Sequence, residues 1–64
     1  MNGVQLFNTL VFIQVCDNND VKSYFAKGYQ YVDGELYILS GDDNIKHHIS
    51  TLTSESQEYM LNKI

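Results

Sequence analysis

The most reactive side chains in this sequence are one thiol, Cys16, and two adjacent imidazoles, His47 and His48. A metal site is the first chemistry they suggest. Zinc takes three or four ligands from Cys, His or carboxylate. Neighbouring positions on a helix point ~100° apart, so His47 and His48 cannot converge on one ion unaided. A pH-dependent role stays open, because imidazole titrates near neutrality. Cys16 with a histidine base would be a nucleophile, but that needs an orienting third group, an oxyanion hole and a cleft of ~300 Å³ or more. A 64-residue chain has little room for such a cleft, and Cys16 reads instead as a small buried hydrophobe at a strand end. Gly28, Gly34 and Gly41 are scattered, each fitting a turn or a helix end, so they do not form a phosphate-cradling loop. The expectation is no enzyme, no cofactor and no metal.

The carboxylates are more informative. Asp17 with Asp20, Asp33 with Glu35, Asp42 with Asp43, and Glu55 with Glu58 fall at expected connections. Turn chemistry and helix capping select Asp on their own account. The sharper alternative is that carboxylates spaced along one edge imitate the phosphates of a DNA strand, and so attract the basic groove of a DNA-binding enzyme. In that reading Asp33, Glu35, Asp42 and Asp43 stand in for phosphates, while Tyr29, Tyr31, Leu36 and Tyr37 supply the apolar contact. Five tyrosines and three phenylalanines could also stack on bases directly, but four lysines against eight carboxylates leave a net charge of −4. Nucleic-acid phosphates would meet an acidic surface. Aromatics in a small sheet more often serve a core or a dimer interface.

The elements that must position these residues belong to one domain over 1–64. A chain this short buries only ~60% of the surface its unfolded form exposes, so a partner subunit is the expected source of missing stability; a lone cysteine excludes an internal disulfide. One free thiol and the absence of a signal-like start suggest a reducing, cytoplasmic setting. A hydrophobic content of 44% suits a folded chain. The longest apolar stretch, Leu10 to Ile13 with Val15 and Cys16 beyond, is too short to cross a bilayer.

Thr9 to Cys16 is rich in β-branched and aromatic types, as in a buried strand. Asp17-Asn18-Asn19-Asp20 supplies a turn, and a second strand begins at Val21, carries Tyr24, Phe25, Tyr29 and Tyr31, and has a bulge or break at Gly28. Asp33-Gly34 between alternating apolar residues is a strong hairpin signal, pairing Val32 with Glu35, Tyr31 with Leu36 and Tyr29 with Ile38. The rival is a short helix capped by Asp33 and stopped by Gly41. Asp42 or Asp43 can cap a helix over roughly 43–52, with Ile45, Ile49 and Leu52 on one face. Ser54 and Gln57 resemble a capping box opening a second helix toward Ile64. In that helix Met60 and Ile64 share a face. One helix over 43–64, or a terminal strand over 59–64, are the alternatives. The fold class expected is α+β: an antiparallel sheet of about three strands with C-terminal helix packed on one face.

From Lys27-Gly28 and Asp33 onward the sequence resembles the small acidic inhibitors of uracil-DNA glycosylase made by protein-primed Bacillus phages. That group has a strand, an Asp-rich turn, a Tyr-rich strand ending in Lys-Gly and an Asp five residues beyond the Gly. Here these parts read Leu10 to Val15, Asp17 to Asp20, Tyr24 and Phe25 leading to Lys27-Gly28, and Asp33. Leu61-Asn62-Lys63-Ile64 is similar to the group's Leu-Asp-Lys-Val ending. The resemblance covers about half the chain. It implies a dimer that occupies the enzyme's DNA-binding groove, with an apolar pocket for the leucine that wedges into DNA. The group's contacting Phe-Glu pair, followed by a Tyr three residues after the Glu, carries over at Glu35 alone. Gly34 stands where the Phe belongs and Ile38 where the Tyr belongs, with Leu36 or Tyr37 as substitutes after a local shift. The group also has a helix where the Asp33-Gly34 hairpin is expected. The function expected is inhibition of a host uracil-DNA glycosylase by DNA mimicry. The alternatives are an inhibitor of another DNA-handling enzyme, such as a CRISPR nuclease, or a small structural or regulatory dimer without mimicry.

Overall fold

The computed structural model describes residues 3–41 and 44–64. Four strands follow in chain order, β1 (Gln5–Asp17), β2 (Asp20–Val32), β3 (Glu35–Ser40) and β4 (Lys46–His48). They form one antiparallel meander with the same spatial order. A 3₁₀ turn at Ile49–Thr51 and the helix α1 (Ser54–Lys63) complete the chain. The α+β class therefore holds, with four strands rather than about three.

Both long hairpins close through two left-handed residues, as the right-handed twist of paired strands favours. Asn18 and Asn19 have φ of 51° and 68°, and Asp33 and Gly34 have 52° and 81°. The second hairpin has the register expected from its alternation: Val32 opposite Glu35, Tyr31 opposite Leu36, Tyr29 opposite Ile38. The rival helix over 33–41 is not formed. Between the hairpins the pairing slips twice, between Leu6 and Val11 on β1 and between Ala26 and Gly28 on β2. Gly28 permits this bend because the Gln5 carbonyl lies where a Cβ would stand.

The sheet curls until its edges are joined by the chain itself. After β4, Leu52 bridges Val15 on the side of β1 away from β2. The Thr53 N–H then donates to the Gln14 carbonyl at 3.1 Å, and the Gln14 N–H donates to Ser56 Oγ at 2.8 Å. The exposed edge of β1, a site of unwanted strand pairing if left open, is thereby covered by the start of α1. Val11, Ile13, Val15, Ala26, Leu36 and Ile38 line the inner face, and Leu52 and Met60 close over them.

The helix expected over 43–52 is absent. Asn44 adopts φ of 60°, which a helix does not accommodate, and the next residues pair with the open edge of β3: Lys46 opposite Leu39, His47 opposite Ile38, His48 opposite Tyr37. Ile45, placed on the apolar stripe by its spacing, is exposed, whereas Ile49 and Leu52 do reach the core. Neither a single helix over 43–64 nor a terminal strand over 59–64 forms. The cap of helix α1 falls one residue before the expected Ser54: Thr53 accepts the Ser56 N–H, and Gln57 reaches back to the Leu52 carbonyl at 3.0 Å. Met60 is fully buried, while Ile64 remains on the rim at 37% exposure. Cys16, expected inside, is exposed, because β1 turns its odd-numbered residues from Val11 to Val15 inward.

Candidate partner-binding surface

The β2–β3 hairpin brings part of the sequence-derived site together. Asp33 and Glu35 flank Gly34 at its tip, both exposed. Behind them on the inner-face side stand Tyr31, exposed, and Tyr29, half-buried; their rings meet edge-on with centroids 6.1 Å apart. Phe7 extends this line, its ring 5.6 Å from that of Tyr29. The strands place these rings together because residues two apart on one strand share a face.

Three residues are placed differently. Leu36 is 6% exposed and belongs to the core, so it cannot be a surface contact; it lies opposite Tyr31 on the inner face, where the sheet needs an apolar plug. Tyr37 projects to the other face, against the His48 ring at 5.2 Å. Asp42 and Asp43 lie outside the described residues. Among the described carboxylates no single row forms. Asp17 and Asp20 sit at one end of the 13-residue β2 and Asp33 and Glu35 at the other, while Glu55 and Glu58 are on α1.

One participant had no signal in the sequence. The His48 Nε2 lies 3.5 Å from Glu35 Oε1. Its Nδ1 accepts the Ser50 N–H at 3.2 Å, which leaves the proton of the neutral ring on Nε2, facing the carboxylate. His48 and Glu35 meet only because β4 pairs with β3. His47 points to the opposite face and packs on Tyr24 with ring centroids 4.9 Å apart. The adjacent imidazoles thus diverge, here through strand alternation. Among the described residues no group of three or more His, Cys, Asp or Glu could hold a metal ion.

Two grooves remain. One, about 300 Å³, lies between the Asp17–Lys22 end of the first hairpin and β4, with Tyr24 and His47 in its lining and Cys16 beside them. The other, about 360 Å³, is walled by Val4, Leu6 and Leu39 together with Lys27, Asn44 and Lys46. Among the described residues no helix is long and apolar enough to cross a membrane. Comparison of the chain with protein-family models, curated proteins and solved structures gives no match.

Proposed function

We propose that this chain is a non-catalytic inhibitor that presents the tip of its β2–β3 hairpin to the basic DNA-binding groove of a host enzyme. The observation that carries the reading is the pairing of charge and ring at that tip. Two exposed carboxylates, Asp33 and Glu35, flank Gly34; Tyr31 and Tyr29 follow Asp33 back along the inner face. Glu35 shares the other face with Tyr37 and His48, and none of the four lysines falls within residues 29–37. Charge of this kind steers encounter, and apolar contact holds the complex once formed.

The resemblance to phage inhibitors narrows the target to uracil-DNA glycosylase, met in the host cytoplasm by a homodimer of this chain. The segment in which that group has a helix is a hairpin here, so the contact residues come from a turn. Excess protein added to a glycosylase acting on uracil-containing DNA is expected to abolish excision. Asp33→Asn with Glu35→Gln is expected to weaken inhibition by ~10-fold or more and to flatten its salt dependence. Undiminished excision at excess inhibitor removes the glycosylase as target; capture of a different DNA-handling enzyme from host lysate would redirect the reading to that enzyme.

A further inference from the structure

The outer face of the β1–β2 ribbon carries an uncharged patch, bordered by Lys27 beside Leu10. Leu10, Phe12, Gln14 and Cys16 alternate outward from β1, and Val21, Ser23 and Phe25 are their counterparts on β2. Leu10 is 58% exposed, Phe12 51%, Val21 53% and Phe25 47%. The Phe12 and Phe25 rings face each other edge-on across the strands, centroids 5.8 Å apart. The patch is therefore a preformed, rigid surface on paired strands. In a chain with twelve charged side chains among 64 residues, seven adjoining outward positions carry none.

We propose that this ribbon is the contact through which two copies of the chain associate about a two-fold axis. Net charge of −4 on each chain opposes association, and this ribbon is the face on which two copies meet without setting carboxylate against carboxylate. Area reaches the lower bound of a specific contact: the seven side chains expose on the order of 500 Å² per copy, so a two-fold contact buries about 1,000 Å² in total, against ~1,600 Å² for a standard interface. An isologous contact also answers the shortage of core in so short a chain, because it buries on each copy the apolar residues its own fold leaves out. The inference deepens the homodimer of the proposed function by naming its surface, and it stands or falls without reference to any glycosylase.

Sedimentation equilibrium of the wild-type chain and of Phe12→Lys tests it. The wild type is expected to be a dimer at micromolar concentration. Phe12→Lys sets a lysine from each copy into the contact and is expected to weaken association by ~30-fold or more, the loss of one interfacial hot spot, while circular dichroism shows the sheet retained. Alkylation of Cys16 gives a second readout on unaltered protein: its rate should fall as wild-type concentration rises through the association range. A wild-type monomer overturns the proposal, as does a dimer that Phe12→Lys leaves intact. If Phe12→Lys fails to fold, the alkylation series decides, and a Cys16 rate independent of concentration overturns the proposal.

Discussion

Val11, Ile13 and Val15 point from β1 into the core at 4, 0 and 5% exposure, whereas Leu10 and Phe12, each one residue away, stand at 58 and 51%. The two faces are similar in apolarity and opposite in fate. The inner one is covered by Leu52 and Met60; the outer one is left open by the described residues. A strand sandwiched on both sides reads as a continuous apolar run, and β1 has that composition. The second copy proposed above would supply the second covering.

The largest effect should come from the inner face. Ile13→Ala removes a fully buried side chain, and truncations of this kind cost about 2–5 kcal/mol. Small domains have only about 5 kcal/mol or a little more to lose, so the variant should be largely unfolded at ambient temperature in urea titrations. Phe12→Ala, measured at concentrations where chains are dissociated, should cost under about 1 kcal/mol, since half of that ring is already in water. Equal losses would erase the distinction between the faces. A loss for Phe12→Ala that grows with protein concentration would sharpen it, because association adds to apparent stability by mass action.

The same contrast explains what could be read in advance. The Asp33-Gly34 hairpin was legible down to its pairs because turn and alternation lie within ten residues. The placement of Cys16 was not, because alternation says nothing when both faces are apolar. The segment 43–52 misled because Ile45, Ile49 and Leu52 have helical spacing, while its structure depends on the unpaired edge of β3 and on the left-handed Asn44. The approach of His48 to Glu35 follows from that same edge and was hidden with it. Asp33, Glu35 and Tyr31 lie at the end of the hairpin that carries the turn, whereas Leu36 is claimed by the core.

A smaller effect distinguishes the edges of β1. One edge is paired with β2 at Gln5 and Leu6 and from Val11 to Asp17; the other depends on a few bonds near Gln14. Ser56, buried on α1, accepts the Gln14 N–H at 2.8 Å. Ser56→Ala leaves that donor without its partner, which costs about 1–3 kcal/mol. Hydrogen exchange should show the Gln14 amide losing protection while Phe25 and Ala26 on β2 keep theirs. Uniform loss along β1 and β2 would mean that the edge is not held separately.

The smallest effect compares the two turns. Both demand positive φ at two positions, but only the second uses glycine; Asn18-Asn19 meets the demand with side chains that tolerate the left-handed region at a modest cost. Replacing Asn19 by glycine relieves that cost and adds flexibility to the unfolded chain, which opposes the gain. Asn-Gly is the favoured pair for this turn, so Asn19→Gly should raise stability by a few tenths of a kcal/mol. Gly34→Ala should lower it by about 1 kcal/mol. At φ of +81° nothing lies within 4 Å of a Cβ at Gly34, so this loss would be a backbone effect free of collision. Thermal melts of the two variants should therefore move in opposite directions. A stabilising Gly34→Ala would show that the second turn is not held in the left-handed region, and would remove the geometry that sets Asp33 and Glu35 at the hairpin tip.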